Sequence, residues 1–327
     1  MPTMKKEDLR IVFMGTPEFA VETLSRLVEE QYNVVAVVTQ PDKPVGRHGS
    51  VLQPSPVKIF AVEHGLPVLQ PEKMKDPAFV EQLQSFNANL QVVVAFRMLP
   101  EVVWAMPEYG TFNVHAALLP QYRGAAPINW AVINGETVTG VTTFFLDHDI
   151  DTGRIIMQKT FDIPDTADVE YVYNGLMHLG ADICLKTLEK IMDADGHPES
   201  IPQDNVLPDS ALLKLAPKIF KETCKIDWNK PAKQVYDFIR GLSPYPGAWT
   251  TLTGVDGKET VLKIFHVTKT DKKAIGVGRI VAERMHMYVS AADYMLQIDE
   301  LQLAGKKRMA AADFLNGMKT IENYFAE

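Results

Sequence analysis

Apolar positions in the first half of the chain fall into short unbroken runs, separated by longer stretches with helical spacing. Leu9–Met14, Asn33–Thr39, Leu90–Ala95, Thr111–Val114 (read from Tyr109 as an apolar run) and Val141–Leu146 are rich in β-branched or aromatic residues, and Arg154–Ile163 continues the series. Unbroken runs predict strands buried on both faces, as in a mostly parallel sheet. Between them, Phe19–Leu27 has helical apolar spacing, and Val169–Ile191 predicts a long helix with Leu176, Leu179, Ile183 and Leu188 on one stripe. Alternating strands and helices predict an α/β fold with a Rossmann-like, doubly wound sheet. Gly15-Thr16-Pro17 sits where a phosphate loop would sit but lacks the three-glycine fingerprint, so no dinucleotide site is read there.

The pattern changes at Asp193. From there to Asp209 Asp, Gly, Pro, Ser and Gln dominate, with Pro198, Pro202 and Pro208 spaced through the stretch. That composition predicts an exposed linker. Beyond it stand one helical stretch, Ala232–Leu242, and five short strand candidates. These are Ala248–Leu252, Val261–Val267, Gly278–Val281, Met287–Ser290 and Met295–Leu301. Short strands divided by turn signals predict a small closed β-structure. The division expected is therefore a first domain over 1–192, a linker over 193–210 and a second domain over 211–327.

A length of 327 residues fits two domains, at roughly 150 residues each. The composition, 46% hydrophobic and 23% charged, is that of an ordinary globular protein. Lys5, Lys6, Glu7 and Asp8 precede the first strand, which reads as neither a signal peptide nor a membrane span. Cys184 and Cys224 stand far apart in no metal-ligand spacing and read as free thiols of a cytoplasmic protein. The net charge of −8 conceals an asymmetry: residues 1–210 hold 15 Lys and Arg against 28 Asp and Glu, or −13, and residues 211–327 hold 18 against 13, or +5. A basic second half suggests a polyanionic partner. An uneven solvated surface is the plainer alternative.

The chemistry-bearing residues of the first half are Asn113, His115 and Asp151, all at the ends of apolar runs. Polar groups at strand ends are where open α/β sheets keep their ligand crevice. An amide that donates to an oxyanion, an imidazole that moves a proton and a carboxylate that orients it suffice for acyl transfer to an amine. Taken singly, each has a simpler reading: a turn Asn, a structural His, a turn Asp. A metal hydrolase built on His115, Asp147, His148 and Asp151 has no helix-borne His pair to support it. A serine hydrolase would need a Gly-x-Ser-x-Gly elbow, which the chain lacks.

The segment Phe112-Asn113-Val114-His115-Ala116-Ala117-Leu118-Leu119-Pro120, continued by Tyr122-Arg123-Gly124-Ala125-Ala126-Pro127-Ile128, resembles the signature of the 10-formyltetrahydrofolate-dependent formyltransferases. Leu146-Asp147-His148-Asp149-Ile150-Asp151-Thr152-Gly153 is similar to that family's second catalytic loop. Gly15–Ala20, Thr39–Arg47 and Pro54–Lys58 add to the likeness, which runs from about Leu9 to about Asn316. The resemblance implies that Asn113, His115 and Asp151 form the catalytic set. It implies folate contacts from Ala117, Leu118, Leu119 and Pro120, with Phe96, Met98 and Asp147 also lining the site, and no metal. Lys218–Trp228, Pro244–Trp249 and Gly305–Arg308 resemble the C-terminal domain of the branch that formylates the α-amine of initiator methionyl-tRNA. In that branch the second domain is an OB-like barrel that meets the tRNA. By the same resemblance Arg47, Lys306, Lys307 and Arg308 are expected to contact tRNA, and the enzyme is expected to act as a monomer.

Three departures from the family pattern stand out. Ala117 occupies a position where Ser is usual, Val94-Ala95-Phe96-Arg97-Met98 replaces a differently spaced Ala-Tyr-Gly, and His48-Gly49-Ser50-Val51 follows Arg47 where lysines are common. The readings that stay open are a formyltransferase acting on a sugar amine or glycinamide ribotide, and a noncatalytic folate- or tRNA-binding protein.

Overall fold

Seven strands form the first sheet of the computed structural model, which describes residues 4–46 and 49–327. In spatial order they are Ile155–Asp162, Val138–Phe145, Thr111–His115, Leu90–Val94, Ile11–Gly15, Val34–Val38 and Val68–Leu69. From Thr111–His115 to Val68–Leu69 the neighbours run parallel; the two strands at the other edge are antiparallel. Ile11–Gly15 and Leu90–Val94 are buried at every position, which is why their sequences are apolar but for Gln91, whose Oε1 accepts the Thr111 hydroxyl at 2.9 Å. The chain leaves Ile11–Gly15 toward Val34–Val38 and returns through Leu90–Val94 on the other side. Such a reversal opens a crevice at the carboxyl ends of the strands.

Gly15 has a packing reason. A Cβ there would stand 2.6 Å from the Cβ of Ala20 and 2.9 Å from the carbonyl oxygen of Val94. Only glycine lets the helix Glu18–Glu29 close down on the sheet at this point.

Several elements were hidden by their prolines. The helix Pro56–Glu63 starts at Ser55, whose Oγ accepts the Lys58 N–H at 3.0 Å, with Pro56 in the first turn. The helix Pro77–Ser85 starts the same way, Asp76 accepting from the Ala78 N–H at 3.0 Å. The stretch Gln40–Ser55 contains a short hairpin of Lys43–Val45 against Val51–Gln53. Its base is fastened by Lys58 on Asp42 at 2.7 Å, by Gln70 on Asp42 at 2.7 Å and by Thr39 with Ser55 at 2.7 Å. The segment read as a linker also has structure: Ile201 pairs with Ile155 on the open edge of the sheet, and Gln203–Val206 is a short helix.

The chain gathers into two compact units that do not divide it at one point. The first holds the chain up to Gly124 with Val138–Asp162 and Tyr173–Leu215, and the second holds Ala125–Thr137, Ile163–Val172 and Ala216–Glu327. The second unit is a curled antiparallel sheet ordered Ile280–Glu283, His286–Ser290, Tyr294–Leu303, Glu259–Lys273, Ala248–Gly254 and Tyr324–Ala326. Its edges meet where Arg279 pairs with Phe325 and the Ala326 N–H donates to the Gly278 carbonyl at 2.9 Å. The helix Ala232–Gly241 packs on it, and Trp228, Ile239, Leu262 and Leu301 form the buried centre. The Glu259–Lys273 strand is longer than expected because its polar end, Thr268–Lys273, is held by the backbone of Tyr294–Leu303 and not by burial.

Candidate active site

Side chains alternate across a strand, so Thr111, Asn113 and His115 share one face of Thr111–His115 while Phe112 and Val114 enter the core on the other. Asn113 lies between Val93 of one neighbouring strand and Phe144 of the other. Its Oδ1 is buried with no hydrogen-bond partner among the described residues. His115 is the last residue of the strand and is buried, its ring edge-on to Phe144 at 6.3 Å between centroids. His115 Nε2 lies 2.9 Å from the Tyr122 carbonyl oxygen, and a carbonyl can only accept, so Nε2 carries the hydrogen. That leaves Nδ1 facing Asp151 Oδ2 at 3.9 Å.

Asp151 reaches His115 from a loop folded by its own polar groups. Asp147 Oδ1 accepts from the Asp149 N–H at 3.2 Å and from the Thr152 hydroxyl at 2.7 Å, so Asp147, exposed, shapes the turn. Asp151 adopts a left-handed backbone with φ 57°. Its Oδ2 accepts the Gly124 N–H at 3.0 Å. Gly153 ends the loop where a Cβ would stand 1.6 Å from the Phe145 carbonyl oxygen.

The segment Ala117–Pro120 is tied to the sheet by its backbone. Thr142 Oγ1 donates to the Ala117 carbonyl at 2.7 Å and accepts the Leu119 N–H at 3.1 Å, while Gln158 Nε2 donates to the Leu119 carbonyl at 2.8 Å. Ala117, Leu119 and Pro120 are buried and Leu118 is half-buried. Leu119 packs with Phe144 and Ile155. Phe96 is half-buried beneath the Arg97 guanidinium, 5.6 Å from the ring centroid, and Met98 is 72% exposed. Ala95, with φ 47°, ends the strand before them.

Among the described residues, no group of three or more His, Cys, Asp or Glu is arranged to hold a metal ion. His148, a member of the hydrolase-like set in the sequence, lies exposed with Nδ1 3.8 Å from Glu101. Lys306 and Lys307 are exposed in the second unit. Arg308 beside them is engaged, with Nε 2.5 Å and Nη2 2.8 Å from the Glu300 carboxylate and its guanidinium 4.2 Å from the Phe265 ring centroid. That pairing holds the Glu300 carboxyl below the usual range. Arg47 lies outside the described residues.

Sequence reasoning missed four groups that shape the site: the Tyr122 carbonyl, the Gly124 N–H, the Thr142–Gln158 pair and Gln203. Gln203 donates from Nε2 to the carbonyls of Asp151 and Gly153, each at 2.8 Å. Nothing in local periodicity marks a glutamine in a proline-rich stretch as a partner of a loop 52 positions earlier.

A buried imidazole facing a carboxylate, with an amide two residues earlier on the same strand face, can move a proton and offer an N–H to a developing oxyanion. Residues 9–188 match the formyl transferase family and residues 218–319 match the formyl transferase C-terminal domain, and the chain belongs to that family. A methionyl-tRNA formyltransferase of Parabacteroides distasonis is 61% identical over 98% of this chain and 99% of its own length. Proteins of the same name from Bacteroides fragilis and Porphyromonas gingivalis are 55% and 46% identical, covering 98% and 99% of this chain and 98% and 100% of theirs. Among solved structures, HypX from Aquifex aeolicus, in complex with tetrahydrofolic acid, superposes with a TM-score of 0.62 at 19% identity, over 95% of this chain. The chain spans about half the length of HypX, 48% of it. An N-formyltransferase from Helicobacter canadensis, in complex with folinic acid and dTDP-3-aminofucose, gives 0.61 at 18% identity over 92% of this chain and all of its own. These two likenesses speak for the fold.

Proposed function

We propose that this formyl transferase moves the formyl group of 10-formyltetrahydrofolate to the α-amine of initiator methionyl-tRNA. The observation that carries this reading is the end-to-end match, at 46–61% identity, to proteins named for that reaction.

The acceptor brings its own nucleophile, a neutral amine, so the protein need supply none. As the amine attacks the formyl carbon, negative charge grows on the formyl oxygen, and the bond to the folate nitrogen then breaks. Asn113 faces that oxygen, joined by His115 once Nδ1 has taken up the amine proton, and one donor so placed contributes about 3–4 kcal/mol. The donor to that oxygen is the Asn113 Nδ2, while the buried Oδ1, unpartnered among the described residues, is an acceptor left for an N–H of a bound ligand. With Nε2 donating to Tyr122, the reactive nitrogen of His115 is Nδ1. Its 3.9 Å gap to Asp151 Oδ2 is too long for a direct hydrogen bond, yet an amine nitrogen can sit about 2.9 Å from both atoms. The amine proton then passes to this pair, and a proton is returned to the departing nitrogen.

Folate would lie along Ala117–Pro120, its pterin edge read by backbone groups, with Phe96, Met98 and Asp147 around it. Ala117 is fully buried with its carbonyl on Thr142, so the missing hydroxyl leaves a packed position and a backbone contact intact. We assign tRNA contacts to Arg47, Lys306 and Lys307 first, and to Arg308 only alongside its bond to Glu300. We propose a catalytic first domain over 1–192, a connector over 193–210 and a tRNA-binding second domain over 211–327. The enzyme acts as a monomer in the cytoplasm, without a metal. Among the described residues no helix is long and apolar enough to cross a membrane.

The direct test is transfer of labelled formyl from 10-formyltetrahydrofolate to charged initiator tRNA, with free methionine and a sugar amine in parallel. Preferential labelling of the tRNA is expected. Faster labelling of the sugar amine, or no transfer to any acceptor, would overturn the reading.

A further inference from the structure

We infer that Gln203 is a positioning residue for formyl transfer, acting through Asp151. The inference rests on the role proposed above for Asp151. Gln203 is 3% exposed, although it lies in the proline-rich stretch that composition marks as solvent-facing. Both ends of its side-chain amide are used. Nε2 donates to the carbonyls of Asp151 and Gly153, each at 2.8 Å, and Oε1 accepts from Arg123 Nε at 3.0 Å and Nη2 at 2.7 Å. Arg123 is followed by Gly124, whose N–H donates to the Asp151 carboxylate at 3.0 Å. Asp151 is thus held at its carboxylate by Gly124 and at its carbonyl by Gln203, and Arg123 ties the two holders together.

The need for a clamp lies in the backbone of Asp151. Its φ of 57° is in the left-handed region, uncommon for a residue with a side chain and visited by Asp as a single residue, so the loop is a tight turn whose place depends on what grips it. Without the Gln203 amide, the carbonyls of Asp151 and Gly153 lose their shared donor, and the carboxylate is held in place only by the Gly124 N–H. The clamp is itself anchored: Ile201 exchanges two backbone hydrogen bonds of 2.8 Å with Ile155, and Arg154 Nε donates to Ser200 Oγ at 2.9 Å. All of these residues belong to the first compact unit.

The test compares Gln203→Glu, Gln203→Met and Asp151→Asn with the corresponding double variants in the full chain, by single-turnover formylation. Glu keeps the acceptor for Arg123 but, ionised, cannot donate to two carbonyls. Both Gln203 variants should lose about 10–100-fold in the rate of transfer, the scale of a misplaced catalytic group. KM for 10-formyltetrahydrofolate should stay within about threefold, as when an interaction made only in the transition state is removed. In the Asp151→Asn background neither change at Gln203 should slow the reaction further, since a residue that acts through Asp151 is not additive with it. Parent-like transfer in Gln203→Glu, or the same fractional loss with and without Asp151, would overturn the inference. If Glu prevents folding, as judged by thermal unfolding, Gln203→Met carries the same comparison. A fully active Asp151→Asn would instead remove the reading on which the inference rests.

Discussion

His115 has one nitrogen committed to a backbone carbonyl and the other aimed at a carboxylate, so its chemistry is directed before any substrate arrives. His115→Ala should lower turnover by about 10²–10⁴-fold, the scale of a lost acid–base group. Binding of 5-formyltetrahydrofolate, measured by titration calorimetry, should change little; near-normal turnover in the variant would remove the imidazole from the reaction. Gly153 belongs to the same argument. An alanine there meets the Phe145 carbonyl oxygen at 1.6 Å, so the loop carrying Asp151 must move. Gly153→Ala should therefore lose activity out of proportion to its effect on thermal unfolding, as seen by assaying the folded variant well below its melting temperature. The cysteines are inert for a related reason. Burial pushes both the Cys184 and the Cys224 thiols up, keeping them protonated at neutral pH. A thiol reagent at pH 7.5 should label neither in the native protein and both in denaturant, and fast native labelling would contradict their burial.

At the scale of elements, polar start signals settle which segments become helices. Ser55-Pro56 and Asp76-Pro77 each combine a side-chain cap with a proline in the first helical turn. Taken as punctuation, the same prolines suggest loops, and the two helices are overlooked. The reverse holds for the strand Glu259–Lys273, whose last residues have no apolar pattern and depend on a partner strand. Ion pairs also fasten elements of the second unit. Asp165, in the segment before the long helix, is held below the usual carboxylate range chiefly by its hydrogen bond to Lys269. Glu300 is held low in the same way by Arg308. A carboxylate whose pKa is lower folded than unfolded adds stability above its unfolded value, near pH 4, and loses it as pH falls through the folded value. The melting temperature should therefore decline from about pH 5 to pH 3, and less steeply in Asp165→Asn/Glu300→Gln. An identical pH dependence in the two proteins would show that these pairs add nothing. Both carboxylates are partly exposed, so the effect should be modest.

On the scale of the whole molecule, charge separates the two proposed binding events. Affinity for initiator tRNA should fall as salt rises, because Lys and Arg side chains that meet phosphates release counterions. Lys306→Ala/Lys307→Ala should flatten the log–log slope by about one for each phosphate no longer neutralised, leaving folate affinity unchanged. An unaltered slope would take these lysines out of the interface. Arg308→Ala is a different experiment, since it also frees Glu300 and uncovers Phe265. Cutting the chain near Pro208 would not part the units cleanly either, because Ala125–Thr137 and Ile163–Val172 belong with the second.

Much of this protein was determined locally and could be read that way. Strands buried on both faces are largely apolar, so Ile11–Gly15 and Leu90–Val94 announce themselves, whereas Thr111–His115 is marked by Phe112 and Val114 alternating with the polar Thr111, Asn113 and His115. The Asp147–Gly153 loop is legible for the same reason, its turn being made by neighbours a few positions apart. Tertiary structure alone decided that Gln203 returns to grip Asp151, that the Tyr122 carbonyl chooses the His115 tautomer, that Arg308 closes on Glu300, and that residues 125–137 leave the first unit for the second. The physical reason is common to all four. Periodicity reports how much of each residue a neighbouring layer covers, whereas a hydrogen bond or ion pair between distant segments depends on where the folded chain brings them, which no local pattern encodes.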